Sequence, residues 1–168
     1  ADRAAKPPEG LVVPVGLGWD LDAVTGGMKT WAASPWVMAI HHGRYTVTND
    51  AYNATPQSVA AALRTVAAMD GRSIAILSVM AELGRVCEAE HRAMGALAET
   101  LGFEALIVVG EDHGYALGAP DLVVNASDFD DAADPLHSIV QPGDVRLGKA
   151  ARSAGLEPMA IKLIQYAR

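Results

Sequence analysis

A carboxylate, a phenol and an amide lie close together in one short segment of this chain, at Asp50, Tyr52 and Asn53. The segment follows residues 45–48, whose β-branched and aromatic side chains are typical of a strand, and it precedes a Thr-Pro pair typical of a helix N-terminus. Ligands of α/β proteins bind at such strand-to-helix loops. A carboxylate and an amide there offer an acceptor and a donor to a ribose, an adenine edge or a metal-linked phosphate. The alternative is that Asp50 and Asn53 only shape the turn into the helix, and their spacing does not decide between the two.

Two cations, Lys149 and Arg152, lie in a second loop, which is rich in small residues. Small side chains let a ligand approach the backbone, and Lys149 with Arg152 could bind a carboxylate or a phosphate, the arginine in bidentate fashion. The alternative is that both are solvated surface charges.

A third candidate set combines Glu82, in a predicted loop, with His91, in the helix that follows. A carboxylate and a histidine near a strand end could orient a substrate or a metal. In the alternative, His91 shares a helical stripe with Cys87 and Met94 and is a partly buried histidine bonded to a neighbouring loop.

The segment Gly26-Gly27-Met28-Lys29-Thr30 has a partial likeness to a phosphate-binding loop. That loop requires four residues between two glycines and a lysine directly after the second, whereas Met28 separates Gly27 from Lys29. We therefore interpret the segment as a helix end that contains glycine.

Apolar, strand-like runs alternate with helical stretches along the chain. The predicted strands are 45–49, 73–79, 105–110, 121–125 and 144–148, and the predicted helices are 56–69, 85–101 and a last one with Pro158 in its first turn. This alternation predicts an α/β fold with a mostly parallel sheet. Runs 74–77 and 106–109 are continuously apolar, as in central strands covered on both faces. Residues 36–40 should form a hairpin with 45–49, adding an antiparallel edge strand, with His41 and His42 exposed at its turn.

Composition excludes several function classes. The chain has 168 residues and a net charge of -7, which argues against binding to nucleic acid or to an anionic membrane. Its single cysteine cannot form an intrachain disulfide, so we expect a reducing, cytoplasmic compartment. Residues 1–10 have two prolines and mixed charge but no apolar signal-peptide core. The longest apolar runs of the chain are far short of a membrane span, and we expect a soluble protein.

Several ordered motifs resemble the C-terminal domain of the bacterial Mur ligases, in the branch that adds D-alanyl-D-alanine to UDP-N-acetylmuramoyl-tripeptide. The similarity runs from about residue 34 to the C-terminus and is carried by segments 49–56, 80–84, 90–91, 109–111, 142–145 and 149–157. Residues 16–31 also resemble the closing helix of the family's central domain. We therefore expect a linker and helix at 1–33, as a possible remnant of the central ATPase domain, and the ligase domain at 34–168.

The resemblance implies a three-layer αβα Rossmann-like domain with about six strands, which closes over a central ATP-binding domain. It implies acyl-phosphate formation with ATP and Mg²⁺, followed by attack of the dipeptide amine. The central and N-terminal ligase domains are not in this chain, so we expect it to be inactive alone and to bind nucleotide and D-alanyl-D-alanine weakly if at all. The resemblance assigns nucleotide binding to Asp50, Tyr52, Asn53 and Pro56, and substrate binding to Glu82, His91, Lys149 and Arg152.

The chain also departs from the family pattern in its ligand-facing loops. Val37-Met38-Ala39 replaces an Arg-Met-Glu step, Thr55 replaces an asparagine, Ser78-Val79 stands where Gly-Asp or Gly-Glu is usual, and Ala151 replaces a frequent serine. Each change removes a polar or charged group of the family pattern, so we expect an isolated, engineered or degenerate ligase domain. The alternatives are a non-catalytic α/β scaffold or interaction module derived from that domain, and another amide ligase of the same superfamily, although residues 50–53 fit the dipeptide-adding branch best.

Overall fold

The computed structural model describes residues 39–50 and 52–151, which belong to one structural unit, Ser34–Arg168. The strands in this part of the chain are β1 (Ala39–His42), β2 (Thr46–Asp50), β3 (Ser73–Leu77), β4 (Ala105–Val109), β5 (Val123–Ala126) and β6 (Val145–Lys149). The helices there are α1 (Pro56–Ala67), α2 (Cys87–Thr100), α3 (Tyr115–Gly118) and α4 (Ala133–Ile139), with a 3-10 turn at Gly84–Val86 before α2. The predictions for residues 1–33, for 36–38, for Arg152 and for the last helix lie outside the described residues.

The six strands form one sheet in the order β1-β2-β6-β3-β4-β5. β1 pairs antiparallel with β2, and the remaining neighbours pair in parallel. This confirms the predicted α/β class, with a mostly parallel sheet and one antiparallel edge strand. β3 and β4 are interior strands in which every residue is buried, as their continuous apolar runs predicted.

Two apolar clusters cover opposite faces of the sheet because alternate residues of a strand point to opposite sides. On one face, α1 and α2 contribute Leu63 and Met94 to a core with strand residues such as Leu147. On the other face, α4 contributes Leu136 to a core with strand residues such as Ile107. The sheet therefore has helices on both sides, as the three-layer prediction requires.

The sequence located the strands to within about two residues but missed two short helices. α3 has four residues and α4 has seven, which is too short for a repeated apolar stripe to show. The predicted hairpin turn is also displaced, because His41 and His42 lie in β1 and the turn follows them. His42 is exposed as predicted, whereas the prediction for His41 was wrong, since this side chain is half-buried and its Nε2 has no hydrogen-bond partner.

The start of α1 is fixed by a reciprocal capping box. The Thr55 hydroxyl accepts a hydrogen bond from the Ser58 backbone N–H at 3.3 Å, and the Ser58 hydroxyl accepts one from the Thr55 N–H at 3.0 Å. Pro56 occupies the first helical position, where its missing N–H costs nothing. These contacts anchor the end of the loop that joins β2 to α1, so they fix where that loop meets the helix.

Arg146 is a buried cation in β6. Its side chain is 2% exposed, its guanidinium carbon lies 3.5 Å from the centroid of the Tyr45 ring, and its Nε and Nη2 have no hydrogen-bond partner. Burial lowers the pKa of Arg146. The contact with the aromatic ring offsets only part of the cost of removing a charge from water.

We expect Arg146→Met to stabilise the protein by about 1 kcal/mol, because an apolar side chain removes the desolvation cost and the two unsatisfied donors. Urea denaturation followed by circular dichroism measures the change. Arg64→Met, at an exposed position of α1, is the matched control and should change stability by less than about 0.5 kcal/mol. A destabilised Arg146→Met variant would show that the guanidinium contributes more through Tyr45 than its burial costs.

Candidate functional site

Asp50 and Lys149 are paired at the carboxyl ends of two adjacent parallel strands. The register of β2 and β6 places them directly opposite each other. The Lys149 ammonium donates to Asp50 Oδ2 in an ion pair, and it also donates to the backbone carbonyl of Asn53 at 2.8 Å. Both side chains are buried, with Lys149 2% exposed and Asp50 7% exposed. Asp50 and Lys149, which the sequence placed in two separate loops, therefore lie together, each as the last residue of its strand.

This pairing corrects one interpretation of Lys149. The alternative of a solvated surface charge is wrong for Lys149, because its ammonium is enclosed and bonded to two protein oxygens. Its predicted companion, Arg152, lies outside the described residues.

Asn53 contributes to the helix entry, as one of the sequence alternatives stated. Its side-chain Oδ1 accepts a hydrogen bond from the Ala54 N–H at 2.8 Å, and its backbone carbonyl accepts from Lys149. Asn53 is nevertheless exposed, and so is Tyr52, at 51%. Both side chains are therefore accessible to a ligand from solvent.

A pocket of about 350 Å³ opens beside the ion pair. It is lined by residues of the loop, of one face of α1 and of the end of β6: Asp50, Tyr52, Asn53, Thr55, Ser58, Ala61, Ala62, Thr65 and Lys149. The side chains from α1 are small, so they leave a trough along the helix. Three of the predicted nucleotide-binding residues line this pocket, while Pro56 is not among its lining residues. We call it the β2–α1 pocket.

The loop after β3 is held from beneath by two buried side chains. His91 is fully buried; its Nε2 accepts from the Met80 N–H at 2.9 Å, and its Nδ1 donates to the Cys87 carbonyl at 2.7 Å. Tyr115 packs edge-on against the His91 ring, and its hydroxyl donates to the Ser78 carbonyl at 3.0 Å. The contacts support the alternative in which His91 is bonded to a neighbouring loop, because both ring nitrogens have backbone partners.

We expect His91 to make the protein less stable in acid. Burial lowers the pKa of His91 below its ordinary value of 6.5, and the Cys87 carbonyl opposes part of the shift. Below pH 6.5 the unfolded chain therefore binds a proton that the folded chain does not, so the free energy of unfolding falls as the pH falls towards the lowered pKa. The slope is at most about 1.4 kcal/mol per pH unit for one proton.

Urea denaturation between pH 7 and pH 5 tests this expectation by comparing wild type with His91→Asn. The pH dependence of the variant should be shallower, although the variant is less stable throughout because it loses the His91 contacts. His42→Asn, at an exposed position, should keep the wild-type slope. Equal slopes in wild type and His91→Asn would contradict the assignment.

Glu82 lies apart from the Asp50–Lys149 pair in the loop after β3. It is exposed, and its φ of 64° places it in the left-handed region that non-glycine residues rarely adopt. It does not line the β2–α1 pocket. The structure thus does not bring Glu82 and Lys149 together, and the predicted substrate contact of Glu82 stays a prediction.

Another pocket, of about 400 Å³, lies at the carboxyl ends of β3, β4 and β5, and the sequence did not predict it. Its lining residues are Ser78, Val79, Val109, Gly110, Glu111, His113, Ser127, Asp128 and Phe129. The Ser78 hydroxyl donates to the Val109 carbonyl at 2.8 Å, which closes the floor between β3 and β4. The sequence signal that could have predicted this pocket was the position of three predicted strand ends. Parallel strands present their carboxyl ends at one edge of the sheet, so these ends lie together.

A family model described as "Mur ligase, glutamate ligase domain" matches residues 37–152, which is more than half of the chain. The chain belongs to the Mur ligase family. The resemblance seen in the sequence motifs is thereby confirmed.

Curated relatives place the chain more narrowly within the Mur ligases. The UDP-N-acetylmuramoyl-tripeptide–D-alanyl-D-alanine ligase of Mycobacterium bovis is 38% identical over 145 residues, a match that covers 71% of this chain and 28% of the relative. The ligase of the same name from Synechocystis is 31% identical, covering 69% of this chain and 27% of the relative. The chain thus spans little more than a quarter of the length of the relatives it matches.

Solved structures of other proteins have the same fold as this chain. MurF ligase from Thermotoga maritima in complex with ADP superposes with a TM-score of 0.73 at 21% identity, covering 94% of this chain and 36% of that one. MurF from Acinetobacter baumannii gives a TM-score of 0.76 at 19% identity, covering 92% and 35%. These structures show that the chain has the fold of their matching domains. The family match and the curated relatives support the sequence prediction of a C-terminal domain of a MurF-type ligase.

The structure locates three of the four departures of this Mur ligase domain from the family pattern. Thr55 caps α1, Ser78 bridges to Val109, and Ala151 is buried and donates its N–H to the Val79 carbonyl at 3.2 Å. These substituted residues support the loops of the domain. The Val37-Met38 part of the fourth departure lies outside the described residues.

The described residues of this Mur ligase domain do not fit a self-contained magnesium site. Asp50 is the carboxylate at the β2–α1 pocket, and it is paired with Lys149. Within residues 39–50 and 52–151, no group of three or more His, Cys, Asp or Glu side chains could hold a metal ion.

Among the described residues, no helix is both long enough and apolar enough to cross a bilayer.

Proposed function

We propose that this chain supplies nucleotide contacts to an ATP-dependent ligase that joins D-alanyl-D-alanine to UDP-N-acetylmuramoyl-tripeptide in the cytoplasm. The names of the relatives support the reaction. The observation that carries the role of this chain is the β2–α1 pocket, which gathers Asp50, Tyr52 and Asn53 beside a helix start. The ADP in the Thermotoga maritima structure supports a nucleotide as the ligand.

The β2–α1 pocket suits the nucleoside part of ATP better than the phosphates. Asp50 and Lys149 are the charged residues among its described lining, and their charges offset each other. The exposed Tyr52 ring offers a surface on which a base can stack, and Asn53 offers amide hydrogen bonding to a base edge. Asp50, buried at the base of the loop, offers a carboxylate to ribose hydroxyls.

In the proposed reaction, ATP phosphorylates the carboxylate of the tripeptide, and the dipeptide amine then attacks the acyl phosphate and displaces phosphate. Such a reaction depends on positioning and on stabilising the phosphate charge. The residues of the β2–α1 pocket bind and orient the nucleoside, and the cation in its described lining, Lys149, is paired with Asp50. We therefore propose that the chain alone does not turn over ATP, and that the predicted substrate contacts of Glu82, His91 and Arg152 act only within a complete ligase.

Titration of the ¹⁵N-labelled chain with adenosine, with ADP and with D-alanyl-D-alanine tests the proposal. Adenosine and ADP should shift the amide signals of the β2–α1 loop, including those of Tyr52 and Asn53. Tyr52→Ala should weaken nucleoside binding by about tenfold, the value of one lost stacking contact. Val86→Ala, at a position exposed to the same degree in the turn before α2, is the matched control.

Two results would overturn the proposal. Amide shifts that avoid the β2–α1 loop would place the nucleotide elsewhere. ATP turnover by the isolated chain, dependent on the tripeptide precursor and on D-alanyl-D-alanine, would contradict its inactivity alone.

A non-catalytic scaffold or interaction module is the second candidate function. The observation that favours it is that the loop is stabilised from within: the capping box satisfies the start of α1, and Lys149 satisfies Asp50 and the Asn53 carbonyl. Absence of any amide shift with nucleotide or dipeptide would favour this role over the ligase role.

A further inference from the structure

Lys149 connects two loops at the carboxyl edge of the sheet. Its ammonium donates to the carboxylate of Asp50, the last residue of β2, and to the carbonyl of Asn53, in the β2–α1 loop. Its backbone carbonyl accepts the N–H of Ser78 at 3.3 Å, in the loop after β3. One residue of β6 therefore holds the loop that forms the β2–α1 pocket and the start of the loop that leads to Met80.

We propose that Lys149 is a positioning residue for the nucleoside and not a contact for an anionic ligand group. A phosphate or carboxylate approaching the ammonium would compete with Asp50, which already neutralises it, and the side chain is 2% exposed. By holding Asp50 and the Asn53 carbonyl, Lys149 fixes the two ends of the segment that carries Tyr52. This assignment rests on the proposed function of the β2–α1 pocket and replaces the substrate contact that the sequence predicted for Lys149.

The two roles differ in how affinity depends on ligand charge. A lysine that binds phosphate directly discriminates ADP from adenosine, so its removal weakens ADP far more than adenosine. A lysine that positions the loop affects both ligands through the same pocket, so its removal weakens both by the same factor. We expect that factor to be about tenfold, the size of the coupling typical of residues in one hydrogen-bond network.

Isothermal titration of the chain with adenosine and with ADP, in the presence of EDTA, separates the two roles. The variants are Lys149→Met, Lys149→Arg and the charge-free pair Asp50→Asn with Lys149→Met. Arg64→Met removes an exposed cation of α1 that does not line the pocket and serves as the control. We expect an equal loss for adenosine and ADP in Lys149→Met, and partial recovery of both in Lys149→Arg, which keeps the charge.

A loss for ADP that exceeds the loss for adenosine by tenfold or more would overturn the proposal, and so would unchanged affinity for both. If Lys149→Met does not fold, Lys149→Arg and the double variant still give the comparison. Amide chemical shifts of Asn53 and Ala54, measured without ligand, test the positioning separately and should move in Lys149→Met but not in Arg64→Met. If the wild-type chain binds neither adenosine nor ADP, the proposed function fails. If the amide chemical shifts of Asn53 and Ala54 are unchanged in Lys149→Met, the positioning role itself is overturned.

Discussion

Lys149→Met lowers the free energy of unfolding by about 3–5 kcal/mol, the usual cost of removing one member of a buried ion pair. Asp50 is 7% exposed, so little water reaches its carboxylate to replace the ammonium. The Asn53 carbonyl loses its donor at the same time. Urea denaturation followed by circular dichroism measures the loss, and the slope of free energy against urea concentration shows whether unfolding remains two-state.

The double variant, Asp50→Asn with Lys149→Met, should be more stable than Lys149→Met alone, because it removes the uncompensated charge. Breaking a buried ion pair by removing one partner is more costly than replacing both partners with neutral groups. Asp121→Asn, at an exposed carboxylate, should change stability by less than about 0.5 kcal/mol. If the double variant is no more stable than Lys149→Met, the loss comes from packing and not from the unpaired charge.

Gly95→Ala destabilises the domain by about 3 kcal/mol, the upper end of the usual cost of overpacking, because α2 and α3 are in backbone contact at this position. A Cβ added to Gly95 would lie 2.3 Å from the Tyr115 carbonyl oxygen, and one added to Gly118 would lie 2.0 Å from the Arg92 carbonyl oxygen. These are backbone atoms, so no side-chain rotation relieves the overlap. Helix α3 must move away from α2, taking Tyr115 with it.

The movement of α3 away from α2 should also change the NMR signals of nearby residues, in addition to lowering stability. Tyr115 donates to the Ser78 carbonyl and packs on His91, so Gly95→Ala should shift the amide signals of residues 78–80 in the ¹⁵N spectrum. Gly102→Ala is the matched control: its φ of 76° strains alanine, but nothing lies within 4 Å of an added Cβ. We expect a loss of about 1 kcal/mol there and no change at residues 78–80. A Gly95→Ala loss as small as that of Gly102→Ala would contradict the close approach of α2 and α3.

The sequence was sufficient for features whose causes are local. Continuous apolar runs identified β3 and β4 as interior strands, since a strand covered on both faces has no polar alternation. Thr55 and Pro56 marked the start of α1, because capping and the fixed φ of proline act within a few residues. The sequence did not predict helices α3 and α4. Each is too short to show the apolar period of a helix, and each depends on packing against an element already in place.

At the site, the sequence determined which side chains lie on the loop between β2 and α1, and the family motifs determined the ligase type. Only the tertiary structure decided that Lys149 is the partner of Asp50, from which it is separated by 99 positions in the chain. Their contact follows from the parallel register of β2 and β6, and pairing between strands so far apart leaves no periodicity in either segment. The predicted substrate contact of His91 stays a prediction. The tertiary structure decided that His91 is buried and bonded to the loop after β3, because burial and backbone partners depend on what surrounds a residue and not on its own segment.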